Sequence, residues 1–521
     1  MHRHAPLHRC LRANRLVFLD TPAPFTLDSI DWQPAQMSKL WRYNLHYFDY
    51  LQLWINQEDT PDGAHPSQGD FLIEHWIAHN PYPHENAWEP YPTSLRIINW
   101  IKYFQAKNPN TLAENWLHSL YQQGHFLSAH IEWHIDANHL LKNIIALVIW
   151  SHYFNDAFAQ QWRTRSCVLL AKLCAEQFFP DGGHYERSPM YHFILIHHLL
   201  DVYNCLQYST ASTPRWLNDT LNAGLNYCQI IVKPDGHFPL LKDSAQGIAP
   251  SLSTIMSYAE ELGLKPTHLS PKAFFHLQQS GYFIVKSAED YILFDTGKLS
   301  PSHQPGHAHC DALHVEITWR GRDIFTDSGV FNYVASSERH YARSVRAHNT
   351  LAINGQEQHH MWDAFRVAER GHARNIITSA TYCSAEFYPY FSRNCHMGHK
   401  RSLEIIPTGG VKIVERLFGA GKTSADIFWH LAPGLVPRYG SGAQAATRQI
   451  EIRDEQDLLV ATIELQDTTA QNLDLICFFT QSEYFPAFGE RQLRHCVVFQ
   501  LRDLQLPAQF SYSLLKAPLG N

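Results

Sequence analysis

Within Pro305-Gly306-His307-Ala308-His309-Cys310-Asp311 two imidazoles stand two residues apart and a carboxylate follows; Asp327 and His348 lie downstream. His309, Asp327 and His348 offer nitrogen and oxygen donors of the kind Zn²⁺ accepts. If the first segment is a strand, residues two apart face one side. His307 could then line a cleft while His309 sits on a metal. A closed zinc site needs a fourth ligand or a water, and His303 and Asp311 are alternative ligands. Cys310 is a soft donor, but on a strand it would point away from His309. Taken singly, each histidine also fits a hydrogen-bonded core position, and Asp327 in Phe325-Thr326-Asp327-Ser328-Gly329 also suits a turn. A metal-braced, histidine-lined surface points to an enzyme.

The elements that must position these groups fall into two kinds. From about Leu40 to Leu264 the pattern is helical. Ser94–Phe104 carries apolar residues at helical spacing, His139–Trp150 is apolar nearly all round, and Phe193–Leu206 and Trp216–Val232 are further helices. Breakers stand between them at Asn80-Pro81-Tyr82-Pro83, Pro180-Asp181-Gly182-Gly183 and Lys233-Pro234-Asp235-Gly236. Helix pairs joined by short turns suggest an α/α array. After a boundary between Gly263 and Pro271 the signal becomes strand-like: Tyr282–Val285, Tyr291–Phe294, Leu313–Trp319, Val411–Arg416, Leu458–Ile463 and Cys496–Leu501 alternate or run apolar. Arg320-Gly321-Arg322-Asp323 reads as a hairpin turn. Helices followed by strands favour separate α and β domains, an α+β multidomain chain.

At 521 residues the chain exceeds what one core holds. An apolar fraction of 45% and a charged fraction of 17% describe an ordinary globular protein. The formal charge of −7 shows no basic excess, which argues against nucleic acid as a partner. Any attraction for a polyanion must be local, and Arg339, Arg343 and Arg346, then Arg366, Arg370 and Arg374, are the clusters available. Ten cysteines, Cys10 and Cys395 among them, form no CxxC pair, so free thiols in a reducing compartment are expected. The N-terminus has no apolar segment of secretory length, and no run approaches the ~20 apolar residues of a membrane span. Cytoplasm is the expected location, with periplasm the alternative if the start site lies elsewhere.

Four segments carry a family resemblance: Trp41-Arg42-Tyr43-Asn44-Leu45-His46-Tyr47-Phe48-Asp49-Tyr50, Asn138-His139, Glu186-Arg187-Ser188-Pro189-Met190-Tyr191-His192, and the run from Gly306 to Thr350. In this order they resemble the heparinase II/III-like polysaccharide lyases. The resemblance implies an N-terminal incomplete (α/α) toroid followed by a C-terminal antiparallel β-sandwich. The expected domains are an N-terminal extension at 1–39, the helical toroid at 40–265 and the sandwich at 271–521. The implied reaction is β-elimination on a uronic acid within an acidic polysaccharide or oligosaccharide. The carboxylate must be neutralised, the C5 proton removed, and the leaving O4 protonated.

The resemblance assigns these tasks to Asn138, His139, Tyr191 and His307. An amide such as Asn138 can hydrogen-bond the uronate, and His139 is a base or a second carboxylate contact. By itself Asn138 also reads as a helix N-cap after Asp136-Ala137. Tyr191, a phenol with an ordinary pKa near 10, can protonate O4, and it can act as base if a neighbour takes its proton. His307 is that helper, or the base for the opposite C5 epimer. Zn²⁺ on His309, Asp327 and His348 would fix the loops around His307 rather than activate water. Tyr341 and Arg343 resemble substrate-contacting positions, and Arg346 joins them; an arginine can grip a carboxylate or sulfate with two parallel hydrogen bonds. Two other readings remain. One is hydrolysis by Glu186 with a second carboxylate. The other is a non-catalytic, glycan-binding accessory protein of polysaccharide biosynthesis.

Overall fold

The computed structural model describes residues 11–12, 15–25, 30–55, 68–209, 212–267, 269–270, 273–394, 396–407, 409–440, 449–466 and 474–518. Cys10, Cys395 and Pro271 lie outside them. Two compact units are present. The first comprises Met1–Phe178, Tyr191–Asn226 and Gly247–Thr267; the second comprises Phe179–Met190, Tyr227–Gln246 and His268–Asn521. Two stretches inside the expected helical range thus belong to the second unit. Side-chain bonds to backbone tie in the first of them: the Asp181 carboxylate accepts the amide N–H groups of Gln279 and Ser280 at 2.8 Å each, and Arg187 Nε donates to the Ser280 carbonyl at 3.1 Å.

The first unit is built from α1 (Lys39–Tyr47), α2 (Gln68–His79), α3 (Pro90–Gln105), α4 (Glu114–Ala129), α5 (Ala137–Tyr153), α6 (Ala157–Gln177), most of α7 (Pro189–Ser209) and of α8 (Arg215–Ile231), and α9 (Leu252–Glu261). Their starts follow local chemistry. Ser38, Asp156 and Ser251 accept first-turn amides of α1, α6 and α9, and α3 opens on Pro90. The helices form two classes. Along α3 and α5 nearly every side chain is buried, whereas α6 is buried on one stripe only. α5 packs on α3, α4 and α6, and α3 on α1, α4 and α5. All-round apolar helices alternating with amphipathic ones make an inner and an outer layer, the (α/α) arrangement. Arg96, fully buried in α3, donates to Gln123 at 2.9 Å and to the Ala87 carbonyl at 2.7 Å, with its guanidinium 4.0 Å from the Trp76 ring centre.

The second unit is an antiparallel sandwich. A five-stranded sheet runs from Ala273 to Phe325, and its last hairpin turns at Arg320 and Gly321, both with positive φ, as a two-residue hairpin turn requires. An eight-stranded sheet covers His372–Ile406, Gly410–Phe418, Val436–Tyr439, Gln449–Leu465 and Ala508–Lys516, and a four-stranded sheet joins Leu351–Ile353, Lys422–His430, Asp474–Tyr484 and Gln492–Gln505. One continuous apolar core, including Phe294, Ile317, Leu403, Ile413, Trp429, Phe499 and Tyr512, links all three sheets. The eight described cysteines are free thiols. Among the described residues no helix is long and apolar enough to cross a membrane.

A buried ion pair lies inside this core. Arg401 and Glu415 are cross-strand partners. Glu415 accepts from Arg401 Nε at 2.9 Å, from His399 Nε2 at 2.6 Å and from the Tyr512 hydroxyl at 2.8 Å. Arg401 also donates to the carbonyls of Leu313 at 2.7 Å and Asn349 at 2.6 Å, bracing the loops that hold the candidate site. Burial favours the neutral Glu415, but Arg401 and the His399 N–H outweigh it and hold the carboxyl at about 2. The unfolded carboxyl titrates near pH ~4.3. Its folded pKa being the lower, its stabilisation is complete above that value and is lost as pH falls toward 2. Thermal melts between pH 5 and pH 2 should show the midpoint dropping through this window. Glu415→Gln should lose that component and, with Arg401 left buried and uncompensated, melt earlier at neutral pH by the equivalent of roughly 3–5 kcal/mol.

Candidate active site

Asn138 and His139 lie in the first turn of α5. The N-cap is Asp136, without a side-chain capping bond, and Asn138 is inside the helix with its side chain buried. The N-cap reading of Asn138 therefore falls away. Asp136 has φ 61° and ψ −154°, a region close to glycine-only, and Ala137 follows at φ 51°. Such residues cost about 1–3 kcal/mol each and persist where the surroundings enforce them. Here Gln177 holds the strained pair, its amide donating to Asp136 at 3.4 Å and to the Ala137 carbonyl at 3.3 Å. The strained turn aims the next two side chains.

His139 is oriented by Glu132, a residue the sequence reading did not single out. His139 Nδ1 donates to Glu132 Oε1 at 3.1 Å, and Tyr91 packs on the ring at 4.3 Å between centres. Glu132 is itself fixed: Asn143 Nδ2 donates to its Oε2 at 3.0 Å, and its own amide N–H donates to Asn143 Oδ1 at 2.9 Å. With Nδ1 engaged, Nε2 is the free position on a ring that is 30% exposed. A carboxylate holding one imidazole nitrogen selects the tautomer and leaves the other nitrogen for chemistry. Seven residues separate Glu132 from His139 with a loop between, so no periodicity joins them. Tyr191 is the third residue of α7 and is partly exposed, while Pro189, Met190, His192 and Phe193 around it are buried.

In the second unit the segment from Gly306 to Asp311 is loop, not strand. His307 and His309 nevertheless meet one partner, Asp243, because the loop curves around it. His307 Nδ1 donates to Asp243 Oδ2 at 2.7 Å, and His309 Nε2 donates to Oδ1 at 2.9 Å. Arg339, on α10 (Ser337–Arg343), grips the same carboxylate with both terminal nitrogens, Nη2 at 2.9 Å from Oδ2 and Nη1 on Oδ1. Arg339 and Asp243 are fully buried. Burial opposes ionisation of Asp243, but Arg339 and the two imidazole N–H groups hold it well below the usual carboxylate range. Glu186 lies 3.6 Å from His307 Nε2 and 3.6 Å from His184 Nδ1. Asp243, in Lys242-Asp243-Ser244, carries no motif signature; its importance comes from what folds around it.

Asp327, His348 and His314 place ligand atoms within 4.8 Å of one another, a group that could hold a metal ion. Asp327 Oδ2 accepts from His348 Nδ1 at 2.9 Å while Oδ1 accepts the Gly329 amide at 3.2 Å, so Asp327 both makes its turn and faces His348. Gly329 at φ 72° leaves no room for a Cβ, which would fall 2.2 Å from the Phe485 carbonyl oxygen. His314 Nδ1 accepts the Asn349 amide at 2.9 Å, so in the neutral ring its Nε2 carries the proton and is a poor ligand. Among His309, His314 and His348, the buried nitrogens left without a hydrogen bond and able to offer a lone pair are His309 Nδ1 and His348 Nε2, on rings 5.4 Å apart. That donor set, with carboxylates behind both rings, fits a metal. The alternatives are otherwise engaged: Asp311 pairs with Lys242, Cys310 Sγ faces the His359 carbonyl at 3.7 Å, and His303 is exposed.

The three expected substrate contacts separate. Arg343 is buried and its guanidinium donates to the carbonyls of Ala308 at 3.1 Å, Asp363 at 2.7 Å and Arg366 at 3.3 Å, so it braces the His307 loop. The Tyr341 hydroxyl is buried, and burial lifts it to about 12. Arg346 alone is exposed. Arg339 carries more: besides Asp243 it donates to the Ala364 carbonyl at 2.9 Å and the Gly306 carbonyl at 3.4 Å. Arg339→Ala should therefore strand Asp243 and lower the thermal midpoint by the equivalent of roughly 3–5 kcal/mol. Arg339→Lys, lacking the planar fork, should restore only part of it; full restoration in calorimetry would show that the fork is not needed.

Comparison with known proteins places the chain in a family. The heparinase II/III N-terminus model matches residues 16–262, and the heparinase II/III-like C-terminal model matches residues 270–513. A heparin-sulfate lyase of Pedobacter heparinus is 24% identical over 482 residues, 84% of this chain and 69% of that protein. One from Bacteroides stercoris is 21% identical over 383 residues, 67% of this chain and 54% of that protein. In fold, a crystal structure of heparinase III matches with a TM-score of 0.76 at 16% identity, over 95% of this chain and 81% of that one. A heparan sulfate lyase from Pedobacter heparinus matches at 0.65 and 17%, over 96% and 80%. Helical N-terminal half and sheet C-terminal half alike, the chain belongs to the heparinase II/III-like family.

Proposed function

We infer that this protein is a polysaccharide lyase that cleaves a uronic-acid-containing glycan by β-elimination. The observation that carries the reading is the pair of imidazoles, His139 and His307, each with Nδ1 fixed on a buried carboxylate, in a chain of this family. In the reaction the Asn138 amide and an imidazole N–H neutralise the uronate. A base removes the C5 proton, the C4–O4 bond breaks as the C4–C5 double bond forms, and an acid delivers a proton to O4. Tyr191 is the acid, and with an imidazole to take its proton it can also be the base. His307 abstracts the proton from the opposite C5 epimer. No water is consumed. Of Tyr341, Arg343 and Arg346, Arg346 is the exposed one and can meet an acidic substituent. Hydrolysis would need a carboxyl pair with one member held protonated. Glu186 is buried with an imidazole on each side, and Arg339 keeps Asp243 ionised.

A bound Zn²⁺ would supply a fixed positive charge and a rigid joint beneath the loop of His307. His309 and His348 would hold it, with Asp327 as ligand or as the carboxylate that orients His348. Metal analysis of purified protein should find about one zinc per chain. Its removal by a chelator should lower the melting temperature of the wild type, and His348→Ala should bind no zinc and show no such drop. Retention of zinc by that variant would refute the site.

Incubation with heparin, heparan sulfate, hyaluronan, alginate and pectin should raise the ultraviolet absorbance of a conjugated uronate with at least one of them. Reducing ends appearing without that absorbance would mean hydrolysis. Tyr191→Phe and His307→Ala should each reduce kcat by roughly 10²–10⁴-fold. Glu132→Gln, which keeps a hydrogen-bond acceptor but removes the charge, should shift the pH–rate profile and lower kcat less than Glu132→Ala does. Equal rates for both variants and the wild type would remove Glu132 from the mechanism.

A further inference from the structure

A short hairpin stands beside His307 and carries two exposed aromatic rings. Met361–Trp362 pairs with Arg366–Val367, Trp362 opposite Arg366. Trp362 is 50% exposed and Phe365 40% exposed. Two buried arginines pin this exposed element from beneath: Arg339 holds the Ala364 carbonyl, and Arg343 holds those of Asp363 and Arg366. Arg339 and Arg343 also hold the backbone of the His307 loop, at Gly306 and Ala308. The hairpin and His307 are therefore set by the same two side chains. The Phe365 ring lies 6.4 Å from His307 and 5.5 Å from Tyr333, with the Arg339 guanidinium 5.2 Å from it. The Arg366 guanidinium is exposed, 5.7 Å from the Trp362 ring, and among the described residues no carboxylate pairs with it. The Asp363 carboxylate on the same hairpin is turned back onto the Ala364 amide at 2.7 Å.

A tryptophan and a phenylalanine exposed on a pinned backbone, with a guanidinium over one face of the tryptophan and, among the described residues, no carboxylate paired to it, match one ligand chemistry: a sugar ring bearing an acidic group. The apolar C–H face of a pyranose stacks on an aromatic ring, and a guanidinium takes a carboxylate or sulfate with paired hydrogen bonds. We propose that residues 361–367 form a glycan subsite, with Trp362 and Phe365 stacking a sugar neighbouring the uronate at His307 and Arg366 engaging its acidic group. This rests on the lyase reading. It adds a specificity element that lies outside the residues of the chemistry and is positioned by Arg339 and Arg343.

The test compares the wild type with Trp362→Ala, Phe365→Ala and Arg366→Ala on a carboxylate-only polymer, hyaluronan or alginate, and on sulfated heparin, by initial rates in the ultraviolet. Retardation in gels containing each polymer, with Tyr191→Phe added to every variant to suppress cleavage, reads binding separately. Trp362 and Arg366 are exposed, so those two variants stay folded even if Phe365→Ala does not, and circular dichroism checks this. Trp362→Ala should raise KM by up to roughly tenfold, with kcat changing less, and reduce retardation. Arg366→Ala should raise KM most on the polymer whose acid it meets and weaken the salt dependence of KM there. Unchanged KM and retardation for both variants, while the wild type cleaves, would overturn the subsite and leave the lyase reading standing. Failure of the wild type to cleave or bind any uronate polymer would overturn both.

Discussion

The carboxylate of Asp243 is the point on which the second unit's site depends. A buried carboxylate costs several kcal/mol to remove from water unless it is fully hydrogen-bonded and paired. Asp243 meets that demand only when Arg339, His307 and His309 all reach it. Three separate segments, the loop around Lys242, the loop from Gly306 to Asp311 and the helix Ser337–Arg343, must therefore close on a single charge. Arg339 extends the constraint outward through the carbonyls of Gly306 and Ala364. A partial assembly leaves an unpaired ion in a dry core, so the arrangement is close to all-or-none.

The helical unit solves the same positioning problem with less charge. Glu132 is locked by Asn143 and in turn locks His139, while a backbone turn in a nearly forbidden conformation delivers Asn138 and His139 into the first turn of their helix. The strain and the ion pairing both remove freedom from the side chains that the proposed reaction would use. Elimination on a uronate asks for that. It needs no activated water, only a neutralised carboxylate and two well-aimed proton carriers, and misplacement by an ångström is costly in rate.

The metal-binding question turns on lone pairs rather than on proximity. His314 is near Asp327 and His348, yet it uses its free lone pair on the Asn349 amide. His309 is turned the other way, its Nε2 on Asp243, and the nitrogen it leaves over is the one that could bind an ion. Carboxylates stand behind both His309 and His348, the usual support of a metal-binding imidazole. A bound ion would stiffen the same loop that Asp243 shapes, so the two constraints reinforce each other.

Much was legible in the residues alone. Apolar periodicity placed the buried helix through His139–Trp150 and the strands at Tyr282, Tyr291, Val411 and Cys496, because burial on two or more sides leaves a periodic trace. The motif pairs marked His307, His309, Asp327 and His348 as a group by residue type. The strand assigned to His307 and His309 was not there; the loop brings them to one side because both donate to Asp243, and that partner lies more than sixty residues away. Arg343 resembled a substrate-contacting position of the family, and here its guanidinium holds backbone carbonyls, which neither the resemblance nor its residue type reveals. Glu132, Asp243 and Arg339 have no spacing rule linking them to the histidines they orient. The sequence by itself determined the elements and the chemically capable side chains, since both depend on local composition and period. Only the tertiary structure decided which carboxylate faces which imidazole, because a buried charge is satisfied by whatever the fold brings within hydrogen-bond reach, regardless of distance along the chain.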